Sequence, residues 1–294
     1  NNARLAVGIE GVAVAEAARQ KALDYANERR QGRAPGWTGE GMSPIVLHPD
    51  VRRDLLTMTT LTGAARAICY ACAHAIDMSR VHAGDEARAW HERASLLTPV
   101  AKAFSTDIGS QVASLGVQVH GGMGYIEETG AALFMRDARI AQIYEGTNGI
   151  QAIDLVMRKL PQSDGGCVAA YFDELDDTVK DLAASNSPAL GTSANRLREA
   201  MADLRAATDA LAGMLHGGDL PAALSGATPY LKLFGLAAGG VYLARSALAD
   251  AENGERAALC RFFAENLVGE TAALRHAVES GAESLHEAGE FLVA

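Results

Sequence analysis

Residues 135–151 read MRDARIAQIYEGTNGIQ, and this stretch decides both the fold and the chemistry that the sequence predicts. Glu145 lies in it between an aromatic residue and a glycine, about twenty residues after the glycine-rich run QVHGGMGY at residues 118–125. A carboxylate in an apolar pocket can act as a general base, and a glycine beside it lets a flat ligand approach the backbone. The helix-like residues 133–143 would bring the two motifs to one end of a helical bundle or place them across it.

Composition favours an all-α protein. Hydrophobic residues make up 49% of the 294 residues but aromatic residues only 5%, and abundant alanine suits tightly packed helices better than a sheet. The net charge of −10, with no basic cluster beyond residues 28–33, argues against a nucleic-acid surface. No apolar run reaches the roughly 18 residues that span a bilayer, and there is no secretory signal, so we expect a cytoplasmic protein without a membrane span.

The cysteines predict a reduced protein without a metal site. Cys69 and Cys72 form a C-x-x-C pair with His74 nearby, but the pair falls in an alanine-rich helical stretch. No second pair exists, because Cys167 and Cys260 stand alone in the sequence. Buried cysteine is a common small core residue, which is the simpler explanation of the pair.

Apolar spacing and glycine or proline punctuation predict six helices in the first half of the chain. Thr98 is typical of an N-cap followed by Pro99 at the first helical position, and Thr147 is typical of the N-cap of a further helix. The predicted helices cover residues 3–31, 48–81, 85–97, 98–119, 129–142 and 147–160. The last of them would present four apolar side chains on one face, namely Ile150, Ile153, Met157 and Leu160.

Residues 161–166, PQSDGG, form the predicted boundary between two helical bundles. We predict a first domain over residues 1–160 that resembles a four-helix bundle. A second domain is predicted over residues 167–294, with four or five helices. No segment alternates as a strand does and no repeat of fixed period appears, so the predicted class is all-α, with two successive bundles.

The context of Glu145 is more specific than the residue itself. A turn glutamate beside glycine is common on protein surfaces, but residues 117–160 together resemble the flavin-contacting core of the C-terminal helical domain of acyl-CoA dehydrogenases. The resemblance extends over residues 1–160. The remainder is similar to the helical extension of the branch that includes the 3-methylmercaptopropionyl-CoA dehydrogenases, a branch that residues 48–53 and 148–155 also resemble.

This resemblance implies an FAD-dependent enzyme that introduces an α,β double bond into an acyl-CoA thioester. The α-hydrogens of a thioester are weakly acidic, so their removal needs a carboxylate within hydrogen-bond reach and shielded from water. In the family, the glutamate matched by Glu145 removes the α-proton, a hydride leaves the β-carbon for the flavin, and electron-transfer flavoprotein takes the electrons. The resemblance also implies substrate contacts at Asn1, Arg4, Tyr144 and Gly146, although the first two are also ordinary polar residues near a terminus.

The same resemblance implies contacts to the FAD cofactor. The family positions matched by Gln118, Gly121 and Gly122 contact the adenosine diphosphate part, and Thr147 is a further cofactor contact. Glycines can expose amide groups toward a pyrophosphate, although they also serve as helix C-caps. Arg29 matches an arginine that reaches the flavin pyrophosphate of a neighbouring subunit, and a solvated charge at a helix end is the competing interpretation.

The sequence departs from the family near the predicted flavin contacts. The phenylalanine-glycine pair that commonly follows the family arginine is missing after Arg29, and the loop to Pro44 is longer. His48 and Pro49 open the next helix, where many members carry a flavin-binding glutamine at the second position. Gly149 stands where several members have another glutamine. Some adenine contacts are therefore expected to differ or to be absent.

The chain is expected to be a piece of a longer protein, because it begins without Met and lacks the family's N-terminal helical and central β domains. Those domains form much of the flavin and acyl pocket, so the piece alone is expected to be inactive, and its sequence does not indicate the acyl-chain length. An acyl-CoA oxidase would share the fold and the base. A non-catalytic helical module that only oligomerises is the third interpretation. Because family members pair these domains, we expect a homo-oligomer, either a dimer or a tetramer.

Overall fold

Helices form the architecture of residues 2–293, the part of the chain that this computed structural model describes. Extended pairing within those residues is limited to one isolated bridge between Arg30 and Pro44, so the all-α prediction is confirmed. None of the described helices is both long enough and apolar enough to cross a membrane. The first half contains α1 (Asn2–Glu28), α2 (Pro49–Val81), α3 (Gly84–His120), α4 (Gly122–Tyr125), α5 (Ala131–Ala141) and α6 (Asn148–Asp154).

Helices α1 and α3 pack against each other at backbone distance. A Cβ atom added to Gly8 would lie 2.5 Å from the carbonyl oxygen of Ala101, and one added to Gly11 would lie 2.5 Å from that of Ser105. From the other side, a Cβ atom on Gly109 would lie 2.8 Å from the carbonyl oxygen of Gly11. Only glycine fits between backbones this close, so the small residues of α1 determine how deeply α3 is buried.

Helix α3 is a single helix of 37 residues, so the predicted division into helices 85–97 and 98–119 is wrong. Thr98 does not cap a helix; its hydroxyl donates to the carbonyl of Ala94, and Pro99 lies inside the helix. An interior proline costs a helix about 3 kcal/mol. Packing offsets that cost here, because every residue from 94 to 106 is buried.

The apolar face predicted for the helix at 147–160 is also wrong. Ile150 and Ile153 are 52% and 38% exposed, whereas Leu155 and Leu160 are buried. Residues 155–159 form a π-helical turn in which the amide of Leu160 donates to the carbonyl of Leu155. This wider turn shifts the register of the helix, so the 3.6-residue spacing used for the prediction does not apply.

Residues 162–165 interrupt the helical path at the predicted boundary, in a short segment where Ser163, Asp164 and Gly165 adopt positive φ. Beyond it, the described residues form seven helices rather than four or five. The additional helix starts lie at Gly226, Gly269 and Gly281, each an N-cap without a side chain and therefore hard to identify from sequence. The seven are α7 (Gly166–Ala184), α8 (Ser193–His216), α9 (Leu220–Ser225), α10 (Ala227–Ala249), α11 (Gly254–Asn266), α12 (Glu270–Ser280) and α13 (Ala282–Gly289).

Helix α10 joins the two halves into one continuous hydrophobic core. A Cβ atom added to its Gly235 would lie 2.2 Å from the ring of Phe104 in α3, and one added to Gly239 would lie 2.8 Å from the Cβ atom of Ala64 in α2. The hydroxyl of Tyr242 shares a hydrogen bond of 2.9 Å with that of Tyr171 in α7. Both tyrosines are buried, so each hydroxyl satisfies the other.

Cys69 and Cys72 lie in this core as free thiols between α2 and α3. Their Sγ atoms contact Ser105 Oγ at 3.3 Å and Thr98 Oγ1 at 3.7 Å. Burial raises the pKa of the Cys69 thiol to about 12, which makes it unreactive at neutral pH.

The close contact of α1 with α3 predicts the effect of one added methyl group. Gly11→Ala places a Cβ atom against the Ser105 carbonyl and is expected to destabilise the protein by about 1–3 kcal/mol, the usual cost of overpacking. Gly213→Ala in α8 is the matched control: nothing lies within 4 Å of its added Cβ atom, so helix propensity should stabilise the protein by up to about 1 kcal/mol. Urea denaturation measures both, and equal stability of the two variants would contradict the backbone contact.

An ion-pair cluster between α1 and α2 predicts a pH dependence. The Arg19 guanidinium, helped by Gln20 and Arg66 and opposed by burial, lowers the pKa of Glu16 to about 2 from an ordinary 4.5. Because the pKa of Glu16 is lower in the folded state, its ionised carboxylate stabilises that state fully above about pH 4.5. This stabilisation disappears as the pH falls toward 2. Glu16→Gln should therefore cost about 1 kcal/mol at pH 7 and nothing near pH 2, measured by urea denaturation across that range. A cost that does not change with pH would refute the assignment.

Candidate functional site

The turn after α5 holds Glu145 in a strained backbone conformation. The φ angle is 56° at Glu145 and 84° at Gly146. A non-glycine residue in the left-handed region costs roughly 1–3 kcal/mol, so neighbouring contacts must hold it there. The Glu145 side chain is exposed, which leaves its carboxylate accessible to a ligand.

Asn148, directly after this turn, attaches it to α3. Its Nδ2 donates to the Ala103 carbonyl at 3.2 Å and to Thr106 Oγ1 at 2.9 Å. The same nitrogen donates to Asp107 Oδ1 at 2.6 Å, and Asn148 Oδ1 accepts from Lys102 Nζ at 2.8 Å. The whole amide is therefore bound by about one turn of α3, an anchor that the sequence analysis did not identify.

Lys102 is a fully buried lysine beneath the Glu145 turn. Burial lowers the pKa of Lys102, and the carboxylates of Asp107 and Glu145 act in the opposite direction. Its positive charge is thus within electrostatic reach of Glu145. The sequence did contain a signal, since this is the only lysine in the otherwise apolar, small or hydroxyl-bearing run of residues 94–106.

Side chains on the N-terminal side of Glu145 connect the turn to two helices. Gln142 Nε2 donates to Asp107 Oδ1 on α3 at 2.6 Å. The hydroxyl of Tyr144 donates to the carboxylate of Glu10 on α1. Tyr144, predicted as a substrate contact, is therefore held beside the turn with part of its surface exposed.

Thr147 caps α6, and this prediction is confirmed. Its Oγ1 accepts a hydrogen bond of 3.3 Å from the amide of Ile150. A hydroxyl that accepts one bond still has its own hydrogen to donate. Because Thr147 is exposed two residues after Glu145, that hydrogen can reach a ligand bound at the same turn.

Arg4 lies beside the same turn, whereas Asn1, predicted with it, lies outside the described residues. Arg4 Nη1 donates to Gln151 Oε1 at 3.0 Å and to Asp154 Oδ2 at 2.6 Å. Gln151 Nε2 in turn donates to the carbonyls of Glu145 and of the following glycine, both at 3.2 Å. The structure therefore brings Arg4 close to the proposed base, although they are 141 positions apart in the sequence.

A second group of predicted residues lines an open groove of about 530 Å³ between the end of α1, the start of α2 and the end of α3. Arg29, Gln118 and Gly121 all lie in its wall, as the resemblance implies. We name it the Arg29 groove and define it by these residues: Tyr25, Arg29, His48, Gln118, His120 and Gly121.

Gly121 lies in the lining of the Arg29 groove, and the predicted Gly122 follows it just outside that lining. Gly121 follows α3 with φ 59° and ψ −141°, a conformation that favours glycine. A Cβ atom added to Gly121 or Gly122 would meet nothing within 4 Å, so a side chain at either position would fill free space. The amide of Gly121 already donates to the Gln118 carbonyl at 2.9 Å. A ligand would therefore use the close approach that Gly121 allows rather than its amide.

An aromatic stack that the sequence analysis did not identify also lines the Arg29 groove. The rings of His120 and Tyr25 are stacked with centroids 4.4 Å apart. His120 Nδ1 donates to the Gly116 carbonyl at 2.7 Å, since a carbonyl can only accept. Burial lowers the pKa of His120, so the imidazole is neutral at physiological pH and offers a flat, uncharged surface.

The Glu145 turn and the Arg29 groove lie at different positions along α3, the turn near its middle and the groove at its C-terminal end. Asn148 attaches the turn near Asp107, and Gln118 lies eleven residues further along α3. At a rise of 1.5 Å per residue, the two sites are separated by about 15–20 Å along the helix. The predicted cofactor residues thus form two groups, with Thr147 in the turn and the others at the groove.

Comparison with known proteins identifies the family. Residues 1–160 match the family model described as acyl-CoA dehydrogenase, C-terminal domain, and residues 171–288 match one described as acetyl-CoA dehydrogenase C-terminal like. The chain belongs to the acyl-CoA dehydrogenase family, of which it comprises the C-terminal helical region.

Individual relatives agree with this assignment. The 3-methylmercaptopropionyl-CoA dehydrogenase of Ruegeria pomeroyi is 46% identical to this chain over 84% of the chain's length. The match covers 42% of that relative's own length. Among solved structures, Caenorhabditis elegans ACDH-11 in complex with C11-CoA superimposes with a TM-score of 0.73 at 18% identity, over 95% of this chain and 47% of that one. An acyl-CoA dehydrogenase complexed with FAD from Bacillus anthracis gives a TM-score of 0.71 at 18% identity, over 98% of this chain and 50% of that one. Likeness at this level of identity shows the shared fold.

Proposed function

We propose that this chain is the part of an acyl-CoA dehydrogenase that supplies the base, with Glu145 removing the α-proton of an acyl-CoA thioester. The observation that supports this most directly is the strained and exposed turn at Glu145, which contacts from α1, α3 and α6 hold in place. Strain of this kind occurs at functional sites, and a helical module used only for oligomerisation would not require a left-handed glutamate.

The residues beside Glu145 suit a thioester substrate. Gly146 has no side chain to obstruct an approaching thioester, and the partly exposed Tyr144 ring offers an apolar surface beside it. Arg4 brings a guanidinium to the same turn, and we propose it, with Tyr144 and Gly146, as a substrate-side residue. In the full-length protein, cover from other domains would exclude water from the Glu145 carboxylate.

The residues also fit the cofactor that the family requires. The Arg29 groove combines an exposed guanidinium with the Gln118 amide and the open Gly121–Gly122 turn, which suits a pyrophosphate. Thr147 would donate a hydrogen bond at the Glu145 turn, away from the groove. FAD, when bound, supplies the acceptor for the hydride that leaves the β-carbon of the substrate.

We further propose that the two groups of cofactor residues serve different flavins in a homo-oligomer. The separation of about 15–20 Å along α3 supports this, because it places the Arg29 groove far from the base. Glu145 and Thr147 would act on the flavin of their own subunit, and Arg29 on that of a neighbour. The electron acceptor proposed from the family is electron-transfer flavoprotein, and the proposed domains are residues 1–160 and 167–294.

A substitution that keeps the shape of Glu145 tests its role. In the full-length protein, Glu145→Gln should lower the rate of flavin bleaching by an acyl-CoA by several orders of magnitude while FAD remains bound, because the amide cannot accept the proton. Single-turnover absorbance spectroscopy measures this rate. Glu128→Gln, at an exposed site near α4, is the control and should bleach normally. A near wild-type rate in Glu145→Gln would overturn the proposed function.

The chain on its own should bind FAD weakly and still self-associate. Without the missing domains, one face of the flavin ring stays in water, which removes several kcal/mol and therefore orders of magnitude in affinity. Fluorescence quenching measures the affinity and light scattering the mass of the purified chain. Submicromolar affinity would show that the residues described here suffice for binding. A strict monomer at tens of micromolar would remove the role of Arg29 across an interface.

A further inference from the structure

One side-chain amide holds both strained residues of the Glu145 turn. Gln151 Nε2 donates to the carbonyl oxygens of Glu145 and Gly146, each at 3.2 Å. Both residues have left-handed φ angles. A Cβ atom added to Gly146 would lie 2.9 Å from the same Gln151 nitrogen, so the amide packs directly against the turn. The path of the backbone through Glu145 therefore depends on where this amide nitrogen lies.

The orientation of the Gln151 amide is determined by Arg4. Gln151 Oε1 accepts from Arg4 Nη1 at 3.0 Å. A guanidinium can only donate hydrogen bonds, so the amide cannot exchange its oxygen for its nitrogen at this position. Gln151 is only 2% exposed, which leaves little room for water to replace either contact. Arg4 therefore directs the Gln151 nitrogen toward the turn.

Arg4 is itself directed by a buried carboxylate. Its Nη1 donates to Asp154 Oδ2 at 2.6 Å, and Asp154 is 2% exposed. Arg158 and Lys159 lie at 2.6 Å and 3.8 Å from the other carboxylate oxygen. The carboxylate is therefore ion-paired through both oxygens, although only Oδ2 accepts a hydrogen bond, and that bond from Arg4 fixes the position of the guanidinium.

An apolar residue would serve the core better than Asp154. The neighbouring buried residues Ala152, Leu155 and Val156 are all apolar. Burying an ion pair costs desolvation that its attraction often fails to recover, and apolar replacements are frequently neutral or stabilising. What the carboxylate adds is a fixed direction for Arg4. The desolvation cost of burying Asp154 is then offset by a function, which is to fix the position of the turn.

We propose that Asp154, Arg4 and Gln151 are positioning residues that act in sequence to hold the Glu145 backbone in the conformation the base requires. Asp154 orients Arg4, Arg4 orients Gln151, and Gln151 holds the two carbonyls of the turn. None of the three needs to touch the reacting atoms. This inference rests on the proposed function of Glu145 for its catalytic meaning, but the structural part can be tested independently.

Hydrogen exchange tests the structural part in the full-length protein. The amide of Asn148 donates to the Gln142 carbonyl at 3.1 Å and reports opening of the turn. Gln151→Met conserves volume but loses both donor bonds, so peptides covering residues 143–148 should exchange at least about ten-fold faster, because losing even one hydrogen bond gives about that factor. Asp154→Asn should also accelerate exchange of these peptides, but by a smaller factor. Unchanged exchange in both variants would overturn the proposal.

The matched control is Asp203→Asn in α8. Asp203 is also a buried carboxylate, bound by Arg275 at 3.2 Å and by the Thr271 hydroxyl at 2.8 Å, but it lies in the second half of the chain. Its replacement should reduce global stability and leave exchange at residues 143–148 at the wild-type value. If Asp203→Asn accelerates exchange there as much as Asp154→Asn does, the effect is general loosening and the positioning role is excluded.

Kinetics of the full-length holoenzyme tests the catalytic part. Gln151→Met should slow flavin reduction by an acyl-CoA by about 10–100-fold, the scale of a misplaced catalytic group, while the acyl-CoA Kd stays within about three-fold. Asp154→Glu, which keeps the charge, should recover most of the rate that Asp154→Asn loses. If Gln151→Met has the wild-type rate while Glu145→Gln is inactive, the positioning role is overturned and the assignment of Glu145 as the base stands. If Glu145→Gln is fully active, the assignment of Glu145 as the base is overturned. The exchange experiment would then still decide whether the three residues hold the turn.

Discussion

The packing of α3 between α1, α2 and α10 is the constraint on which the rest of the structure depends. A helix of 37 residues with a proline in its interior is stable only because its central turns are buried on every side. Glycines on α1 bring the backbones together, and the Glu145 turn is attached to the same central turns through Asn148. Helix α3 is thus a rigid element, here called the rod. It determines the position of the Glu145 turn and the distance between the turn and the Arg29 groove.

Buried polar groups are concentrated at the point where the turn meets this rod. Lys102 has no exposed surface, and Asp154 almost none. Each is linked to the Glu145 turn by one or two intervening side chains: Lys102 by Asn148, and Asp154 by Arg4 and Gln151. Burying polar groups costs free energy unless they are paired, and both of these residues are paired with side chains that contact the Glu145 turn or belong to it. This distribution supports the proposal that the turn is the functional centre, independently of its sequence motif.

The sequence predicted those features of the fold that depend on short-range signals. Thr147 as an N-cap, the helix beginning at Pro49 and the break near residue 163 all follow from local signals of capping and punctuation. The division of α3 at Pro99 failed because tertiary burial outweighed a local signal. The contact of Arg4 with Asp154 joins residues 150 positions apart, and no spacing rule relates such residues. Family resemblance predicted Glu145 and the groove residues as site residues, but it did not indicate what holds them in place.

The second bundle bears directly on the site, although it contributes no residue to it. Phe104 packs against Gly235 of α10, and it lies in the same turn of α3 whose other face, through Lys102 and Ala103, binds Asn148. Helix α10 also packs against α6. Any displacement of α10 would therefore be transmitted through a close-packed core to both elements that hold the Glu145 turn. The second bundle therefore supports, through α10, the two elements that hold the Glu145 turn in place.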